Sequence, residues 1–142
     1  STRPELLRRL GDEFARRITT LGEQTGQRPQ RLAGAELGGI PLVTVASLST
    51  GLPCVFIRNS KKDYGTSKQL EGILNAGDWV VIVEDIATTG GQALEAAKVV
   101  ESQGARVQAI IATIDRQEGA RENVENAGYR FESLFVKSDL GL

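Results

Sequence analysis

The 142-residue chain contains no histidine, no methionine and a single cysteine, Cys54. The absence of histidine excludes histidine general acid–base catalysis, Ser-His-Asp triads and histidine-ligated metals. One cysteine cannot form an internal disulfide, which predicts a reducing, cytoplasmic setting. No apolar run approaches the roughly 18 residues of a membrane span, and no secretory signal is visible, so we expect no membrane association.

Charge is balanced along the chain, with 17 Lys and Arg residues, 18 Asp and Glu residues and a net charge of −1. This balance argues against a protein that works mainly by coating nucleic acid or membrane. Four arginines of the first predicted helix lie largely off its apolar stripe: Arg8, Arg9, Arg16 and Arg17. Because Asp12 and Glu13 are interleaved with them, we favour a solvated face over a nucleic-acid patch.

Apolar spacing predicts alternating helices and strands. An amphipathic helix begins near Pro4, and its apolar residues recur at intervals of three and four: Leu6, Leu7, Leu10, Phe14 and Ile18. Further helices are predicted at 40–51, 92–104 and 118–128, strands within 31–39 and at 53–58, 79–83, 106–115 and 130–136, and loops at 22–30 and 59–72. The pattern indicates an α/β fold, with one domain over residues 1–142 and a mostly parallel central sheet flanked by helices.

Polar segments follow four of the predicted strands: 36–39 (ELGG), the segment from Arg58, 84–91 (EDIATTGG) and 115–119 (DRQEG). In open parallel sheets, ligands bind beyond the carboxyl ends of the strands. We therefore expect the four segments to converge on one site at that edge of the sheet.

Glu84 and Asp85 directly follow the apolar run 79–83. Successive strand residues point to opposite faces of a sheet, so the two carboxylates cannot both be hidden in one core. Burying an unpaired carboxylate is costly, and these side chains must reach solvent, cations or hydrogen-bond donors. A ribose offers such donors in its 2′- and 3′-hydroxyls, and two acceptor-only carboxylates match that diol.

Thr88, Thr89, Gly90 and Gly91 come next and open a predicted helix. Small residues let backbone N–H groups converge on a phosphate, threonine hydroxyls add donors, and a helix N-terminus adds positive potential. No G-x-x-x-x-G-K-[ST] motif is present, and no G-x-G-x-x-G follows a strand. The structural alternative is a strand followed by a helix with a threonine N-cap, its two acids being surface residues.

The stretch VVIVEDIATTGG, residues 80–91, resembles the phosphoribosyl diphosphate-binding signature of type I phosphoribosyltransferases. Residues 33–72 resemble the diphosphate-contacting turn, helix and mobile catalytic loop of the orotate phosphoribosyltransferase family, and residues 115–128 resemble its pyrimidine-side segment. The resemblance implies transfer of a phosphoribosyl group from phosphoribosyl diphosphate to orotate, giving orotidine 5′-phosphate and diphosphate in pyrimidine nucleotide biosynthesis.

Carried over to this chain, the resemblance implies these contacts to phosphoribosyl diphosphate: Arg58, Lys62, Tyr64, Glu84, Asp85, Ile86, Ala87, Thr88, Thr89, Gly90, Gly91 and Gln92. Glu84 and Asp85 would hold the ribose, and residues 87–91 would wrap the 5′-phosphate. Lys62 and Asp85 would be catalytic. Thr88 and Arg116 would bind orotate, because a planar guanidinium suits its carboxylate or carbonyl groups. The alternative for Arg116 is an ion pair with Asp115 or Glu118.

The implied chemistry is attack by a ring nitrogen of orotate on the anomeric carbon as diphosphate leaves. Mg²⁺, carried mainly by the substrate without direct protein ligands, would act with Arg58 and Lys62 on the growing charge of the diphosphate. Closure of the 59–72 loop would exclude water, although a plain disordered connection is the alternative interpretation. The family's loop reaches the neighbouring subunit's site, so a homodimer is implied.

This sequence departs from the family pattern at several positions. Asn59 stands where lysine is usual, Gly38 where some members have lysine, and Tyr64 where many have histidine. The family usually carries a longer N-terminal segment that closes over orotate with a lysine and aromatic residues. The chain starts at Ser1, so that segment is either missing from it or not needed; its absence would give poor affinity for orotate.

Two other functions remain open from the sequence. One is a phosphoribosyltransferase that uses a purine as nucleophile, against which the DRQEG segment argues. The other is a non-catalytic regulator that senses phosphoribosyl diphosphate and binds nucleic acid through the arginines of the first helix. Balanced charge and the lysine-bearing loop argue against the regulator, and we do not expect nucleic-acid binding.

Overall fold

The computed structural model describes residues 3–62 and 65–141, with side chains outside 60–68. Its strands are β1 (Arg31–Ala35), β2 (Cys54–Lys62), β3 (Gly65–Glu71), β4 (Trp79–Ala87), β5 (Arg106–Asp115) and β6 (Phe131–Val136). Its helices are α1 (Pro4–Thr25), α2 (Gly39–Thr50), α3 (Gly91–Ser102) and α4 (Ala120–Asn126), followed by a 3₁₀ turn at Lys137–Leu140.

The strands form one six-stranded sheet in the order β3-β2-β1-β4-β5-β6. All neighbours pair in parallel except β2 and β3, which are antiparallel. The α/β class and the mostly parallel sheet with flanking helices are confirmed. β4 is central, which explains its continuous apolar run, because both of its faces are covered.

Each face of the sheet packs a separate core. Alternate residues of β4 and β5 divide between the faces: Val80 and Ile82 lie with α3 and α4, whereas Val81 and Val83 lie with α1 and α2. The cluster on the α1–α2 side includes buried Leu10, Phe14, Ile18 and Leu21 from α1. This alternation continues to the carboxyl ends of the strands and sets the face on which each polar residue lies.

The predicted loop at 22–30 is wrong over its first part, because α1 continues to Thr25. Leu21 extends the buried stripe by one more turn, and Gly26 ends the helix in the left-handed conformation with φ 72°. Gly22 lies inside the helix instead of stopping it. Burial of the stripe outweighs the modest cost of an interior glycine.

The predicted loop at 59–72 is also wrong in its secondary structure. β2 continues to Lys62 and pairs with β3 from Phe56↔Glu71 to Lys62↔Gly65, which makes an antiparallel hairpin. An antiparallel ladder is held by backbone hydrogen bonds and can form without apolar alternation, which is why the periodicity did not reveal it. We call residues 58–62 and their partners in β3 the hairpin.

Candidate functional site

The carboxyl ends of the parallel strands carry the polar segments picked out in the sequence, and several direct contacts join them. The Arg116 N–H donates to Ala87 O at 2.9 Å, which joins the end of β5 to the end of β4. The Asn59 N–H donates to the carboxylate of Glu36, and the Glu36 N–H donates to Ile57 O at 2.9 Å. The structure thus connects the turn before α2 to β2, and the end of β4 to the end of β5.

Glu84 and Asp85, the acid pair, lie within β4, which runs on to Ala87 instead of ending before them. Their side chains lie on opposite faces, since Val83 belongs to the α1–α2 core and Ile82 to the α3–α4 core. Glu84 is 8% exposed and accepts a hydrogen bond from the Asp85 N–H at 3.3 Å. The two carboxylates therefore approach the edge of the sheet from different sides.

Residues 87–91, which we call the cradle, surround a cavity of about 520 Å³. The cavity is lined by Glu84, Ile86, Ala87, Thr88, Thr89, Gly90, Gly91, Gln92, Ala93 and Glu95. The N-cap of α3 is Gly90, with φ 88°, and no side chain caps the helix. The threonine N-cap of the structural alternative is therefore wrong, and a concave site lies at the N-terminus of α3, where N–H groups lack helical acceptors.

α4 supports the cradle from behind. The Asn123 side-chain amide donates to Thr89 O at 2.8 Å. A β-carbon on Gly90 would lie 3.1 Å from Val124 Cγ2, so this position requires both glycine's left-handed backbone and its small size.

Tyr129, which follows α4, donates a hydrogen bond to Glu101 Oε1 of α3 at 2.5 Å. Burial, and then Glu101, raise the pKa of Tyr129 to about 12, so the phenol stays protonated as a donor.

The turn between β1 and α2 contacts Asp85 closely. A β-carbon on Gly38 would lie 2.5 Å from Asp85 Oδ2 and 2.9 Å from its Cβ. A side chain at this position would require Asp85 to move, so glycine suits it while the Asp85 side chain lies here. Glycine instead of lysine at position 38 thus leaves room for the Asp85 carboxylate, which lies beside the N-terminus of α2.

Arg58 extends along the hairpin. Its Nε lies 3.3 Å from Glu71 Oε1, and its Nη2 lies 3.4 Å from Gln69 Oε1. The Arg58 side chain is half exposed, so its pair with Glu71 is weak enough to exchange for an anionic ligand. Lys62 is placed by its backbone at the end of β2, its side chain lying outside the described set, and Tyr64 lies outside the described residues.

Arg116 follows β5 and pairs with Glu118, Nε to Oε2, at 3.0 Å. This is the ion pair weighed as an alternative to orotate binding. Both side chains are nearly half exposed, so the contact is of the exchangeable surface kind. Asp115 is 4% exposed and instead accepts from the Gln117 N–H at 2.8 Å.

Glu36, Asn123 and Thr113 also belong to the site region but were not picked out as functional residues from the sequence. Glu36 lies in the ELGG segment, so its position at a strand end was the available signal. Asn123 acts through a contact between elements that local spacing does not reveal. Thr113 lies in a mostly apolar strand, and only the structure shows that its side chain is buried, with 7% of its surface exposed.

Another cavity, of about 390 Å³, lies between α1 and the end of α2 that is remote from Gly38. Its lining includes Ile18, Arg28 and Leu52 but no residue that the sequence assigns to the site. The chemistry of strand ends therefore favours the cradle cavity as the functional one.

A model of the phosphoribosyl transferase domain family matches residues 5–133. The chain belongs to the phosphoribosyltransferase family. It is 42% identical over 127 residues to the orotate phosphoribosyltransferase of Pyrococcus abyssi, covering 89% of this chain and 70% of that protein. This phosphoribosyltransferase chain thus spans less than the full length of the curated relative.

A solved structure supports the same grouping. The orotate phosphoribosyltransferase of Aeropyrum pernix has a TM-score of 0.76 and 30% identity, covering 89% of this phosphoribosyltransferase and 71% of that chain. The adenine phosphoribosyltransferase of Leishmania tarentolae has a TM-score of 0.77 but only 20% identity, covering 96% of this chain and 73% of that one. The second likeness establishes the shared fold alone.

Proposed function

We propose that this phosphoribosyltransferase transfers the phosphoribosyl group of phosphoribosyl diphosphate to orotate, giving orotidine 5′-phosphate and diphosphate. The observation that carries the proposal is the cradle cavity, which places a buried carboxylate beside an uncapped helix N-terminus. The choice of orotate is supported by the 42% identity to a curated protein of that name.

The binding mode follows from the acid pair and the cradle. Glu84 lines the cavity and would accept from a ribose hydroxyl, with Asp85 approaching the sugar from the other face of β4. The 5′-phosphate would lie against the N–H groups of residues 87–91, with Thr88 and Thr89 as hydroxyl donors. Both threonines are exposed, which leaves them accessible to a ligand. Carboxylates would thus meet hydroxyl donors, and amides would meet an anion.

The diphosphate would lie between the hairpin and the turn before α2. Arg58 would exchange Glu71 for a diphosphate oxygen, and Lys62 would add a second cation as charge develops on the leaving group. The hairpin would close over the reacting atoms and exclude water, which otherwise competes with orotate.

Mg²⁺ is part of the proposal, and the donor chemistry fits it. Among the described residues, no group of three or more His, Cys, Asp or Glu could hold a metal ion. The acid pair supplies hard oxygen acceptors for waters of an ion carried on the substrate. When bound, the ion would neutralise charge on the departing diphosphate.

Orotate would bind near the end of β5. Arg116 lies there with a weak, exposed partner in Glu118, which a substrate carboxylate could replace. Thr88 would lie near the pyrimidine as well as the phosphate.

A homodimer is proposed on two grounds. The first is the family resemblance, which implies that the hairpin reaches into the site of a neighbouring subunit. The second is the presence of exposed apolar side chains at α2 and at the turn before it. Leu48 of α2 is 80% exposed, and Leu37, next to the turn, is 83% exposed. Burial of these two leucines against a second copy of the chain would remove their apolar surface from water. No helix in the described part of the chain has the length and apolar character to cross a membrane. The expected cytoplasmic setting stays a prediction from the single cysteine.

The deciding experiment mixes the protein with Mg²⁺, phosphoribosyl diphosphate and orotate and follows the absorbance of orotate. We expect orotate to be consumed only when phosphoribosyl diphosphate is present. Purines added in competition should not be converted, and their conversion would favour the purine enzyme. Binding of phosphoribosyl diphosphate without turnover, together with salt-sensitive affinity for nucleic acid, would favour the regulator.

A further inference from the structure

Thr113 is a buried polar residue whose hydroxyl takes no part in the site as described above. It lies in β5 and is 7% exposed, and its Oγ1 has no hydrogen-bond partner among the described residues. An unsatisfied buried hydroxyl costs about 1–3 kcal/mol. A valine, which suits a buried strand equally well, would avoid that cost. We therefore expect the hydroxyl to form a hydrogen bond in another state of the protein.

Register places Thr113 beside Asp85. β4 and β5 pair in parallel with Glu84↔Ala112 and Ile86↔Ile114, so Asp85 lies opposite Thr113 on the neighbouring strand. Both follow residues of the α1–α2 core, Val83 in β4 and Ile111 in β5, and therefore lie on the same face of the sheet. Adjacent strands are roughly 4.8 Å apart, a spacing that a threonine hydroxyl and an aspartate carboxylate can bridge.

Asp85 occupies a different position in the structure, against the backbone of Gly38 at the N-terminus of α2. Diphosphate is proposed to bind at this same turn and would bring negative charge next to the carboxylate. Like charges this close together repel, so binding of the diphosphate would favour movement of the Asp85 side chain away from Gly38.

We propose that Thr113 is a positioning residue that donates its hydroxyl to the Asp85 carboxylate once phosphoribosyl diphosphate is bound, and so holds Asp85 toward the ribose. This rests on the proposed function, because it requires Asp85 to engage the ribose of that substrate. It also explains why the hydroxyl is unsatisfied without ligand, since its acceptor then lies at Gly38. Thr113 is too deeply buried to touch the substrate itself and acts through Asp85.

The test compares Thr113→Val with Thr113→Ser. A hydrogen bond to a charged group supports an expected loss of about tenfold in affinity for phosphoribosyl diphosphate in Thr113→Val, measured by calorimetry. Thr113→Ser keeps the hydroxyl and should keep the affinity within about twofold. Without ligand, Thr113→Val should melt at or above the wild-type temperature, because it removes an unsatisfied polar group.

The double variant Thr113→Val/Asp85→Ala separates positioning from packing, because alanine removes the acceptor of the Thr113 hydroxyl, whereas asparagine would keep one. If Thr113 acts through Asp85, the double variant binds no more weakly than Asp85→Ala alone. Additive losses would overturn the proposal, as would equal losses in Thr113→Val and Thr113→Ser. A lower melting temperature of ligand-free Thr113→Val would also overturn it, since the hydroxyl would already be bonded.

Wild-type turnover of orotate is measured alongside. If the wild type binds phosphoribosyl diphosphate but converts no orotate, the proposed function fails, and the dissociation constants still decide the role of Thr113. If the wild type binds no phosphoribosyl diphosphate, both proposals are overturned.

Discussion

The cradle and the hairpin flank the same edge of the sheet but are constructed in different ways. The cradle consists of small residues with fixed backbone geometry, supported by α4 through Asn123 and by the close fit of Gly90 against Val124. The hairpin carries its implied chemistry on charged side chains, and Arg58 there pairs with the half-exposed side chain of Glu71. Under the proposed function, the cradle supported by α4 would bind the sugar phosphate, and the exposed cations of the hairpin would act during the reaction.

The largest expected effect is on the hairpin. Lys62→Ala should reduce turnover about a hundredfold or more, because it removes a cation from the growing charge of the leaving group. Affinity of the 5′-phosphate should be nearly unchanged, as measured with ribose 5-phosphate by calorimetry. Lys61→Ala, which removes the same charge one residue earlier, is the control. Normal turnover in Lys62→Ala would remove the catalytic role of the hairpin.

A substitution in the cradle should act on binding and folding together. Gly90→Ala places a side chain at φ 88°, at a cost of about 1–2 kcal/mol, and close to Val124. We expect a lower melting temperature and at least about tenfold weaker binding of phosphoribosyl diphosphate. Gly77→Ala is matched in backbone, with φ 86°, but its β-carbon would have nothing within 4 Å. If both variants bind equally well, the cradle does not hold the phosphate.

A substitution in the acid pair tests whether the protein contacts the ribose as well as the phosphate. Asp85→Asn should weaken binding of phosphoribosyl diphosphate about tenfold, since hydrogen bonds to charged groups are worth about 1.5–3 kcal/mol. Titration calorimetry measures this affinity, and the control is Asp12→Asn, which changes an exposed aspartate of α1. Unchanged affinity in Asp85→Asn would exclude a ribose contact through that carboxylate.

The smallest effect is expected at the ion pair between Arg58 of the hairpin and Glu71, which lies just beyond it in β3. Glu71→Gln removes the partner of Arg58, whose side chain is 50% exposed, and should change unfolding free energy by less than about 0.5 kcal/mol. Chemical denaturation measures that change. A loss of more than about 1 kcal/mol, the upper range for exposed pairs, would mean that the pair is too strong to be exchanged readily for an anionic ligand.

Much of the fold could be predicted from apolar spacing. The strand at 106–115 was predicted to its end residues, and the helix predicted at 40–51 is found one residue earlier, at Gly39–Thr50. The hairpin could not be predicted in this way, because a polar ladder held by backbone hydrogen bonds leaves no apolar period. The extension of α1 past Gly22 was missed because burial of Leu21 against distant residues outweighed a local breaker.

The site was predictable where its chemistry lies in one stretch. Residues 84–91 carry acids, hydroxyls and glycines in succession, and all of them except Asp85 line one cavity in the structure. Contacts between distant segments were beyond the sequence. Examples are Glu36 with Asn59 and Asn123 with Thr89. The local pair of Arg116 with Glu118, by contrast, had been weighed as an alternative from the sequence.

The residue pattern alone determined the α/β class, the strand-end location of the site and the types of group available there, because spacing and composition act locally. Only the tertiary structure decided that the acid pair is divided between two faces, that Gly38 makes room for Asp85 and that the Thr113 hydroxyl is buried beside it. These facts depend on strand register and on helices packed from distant parts of the chain, and no local pattern encodes such contacts.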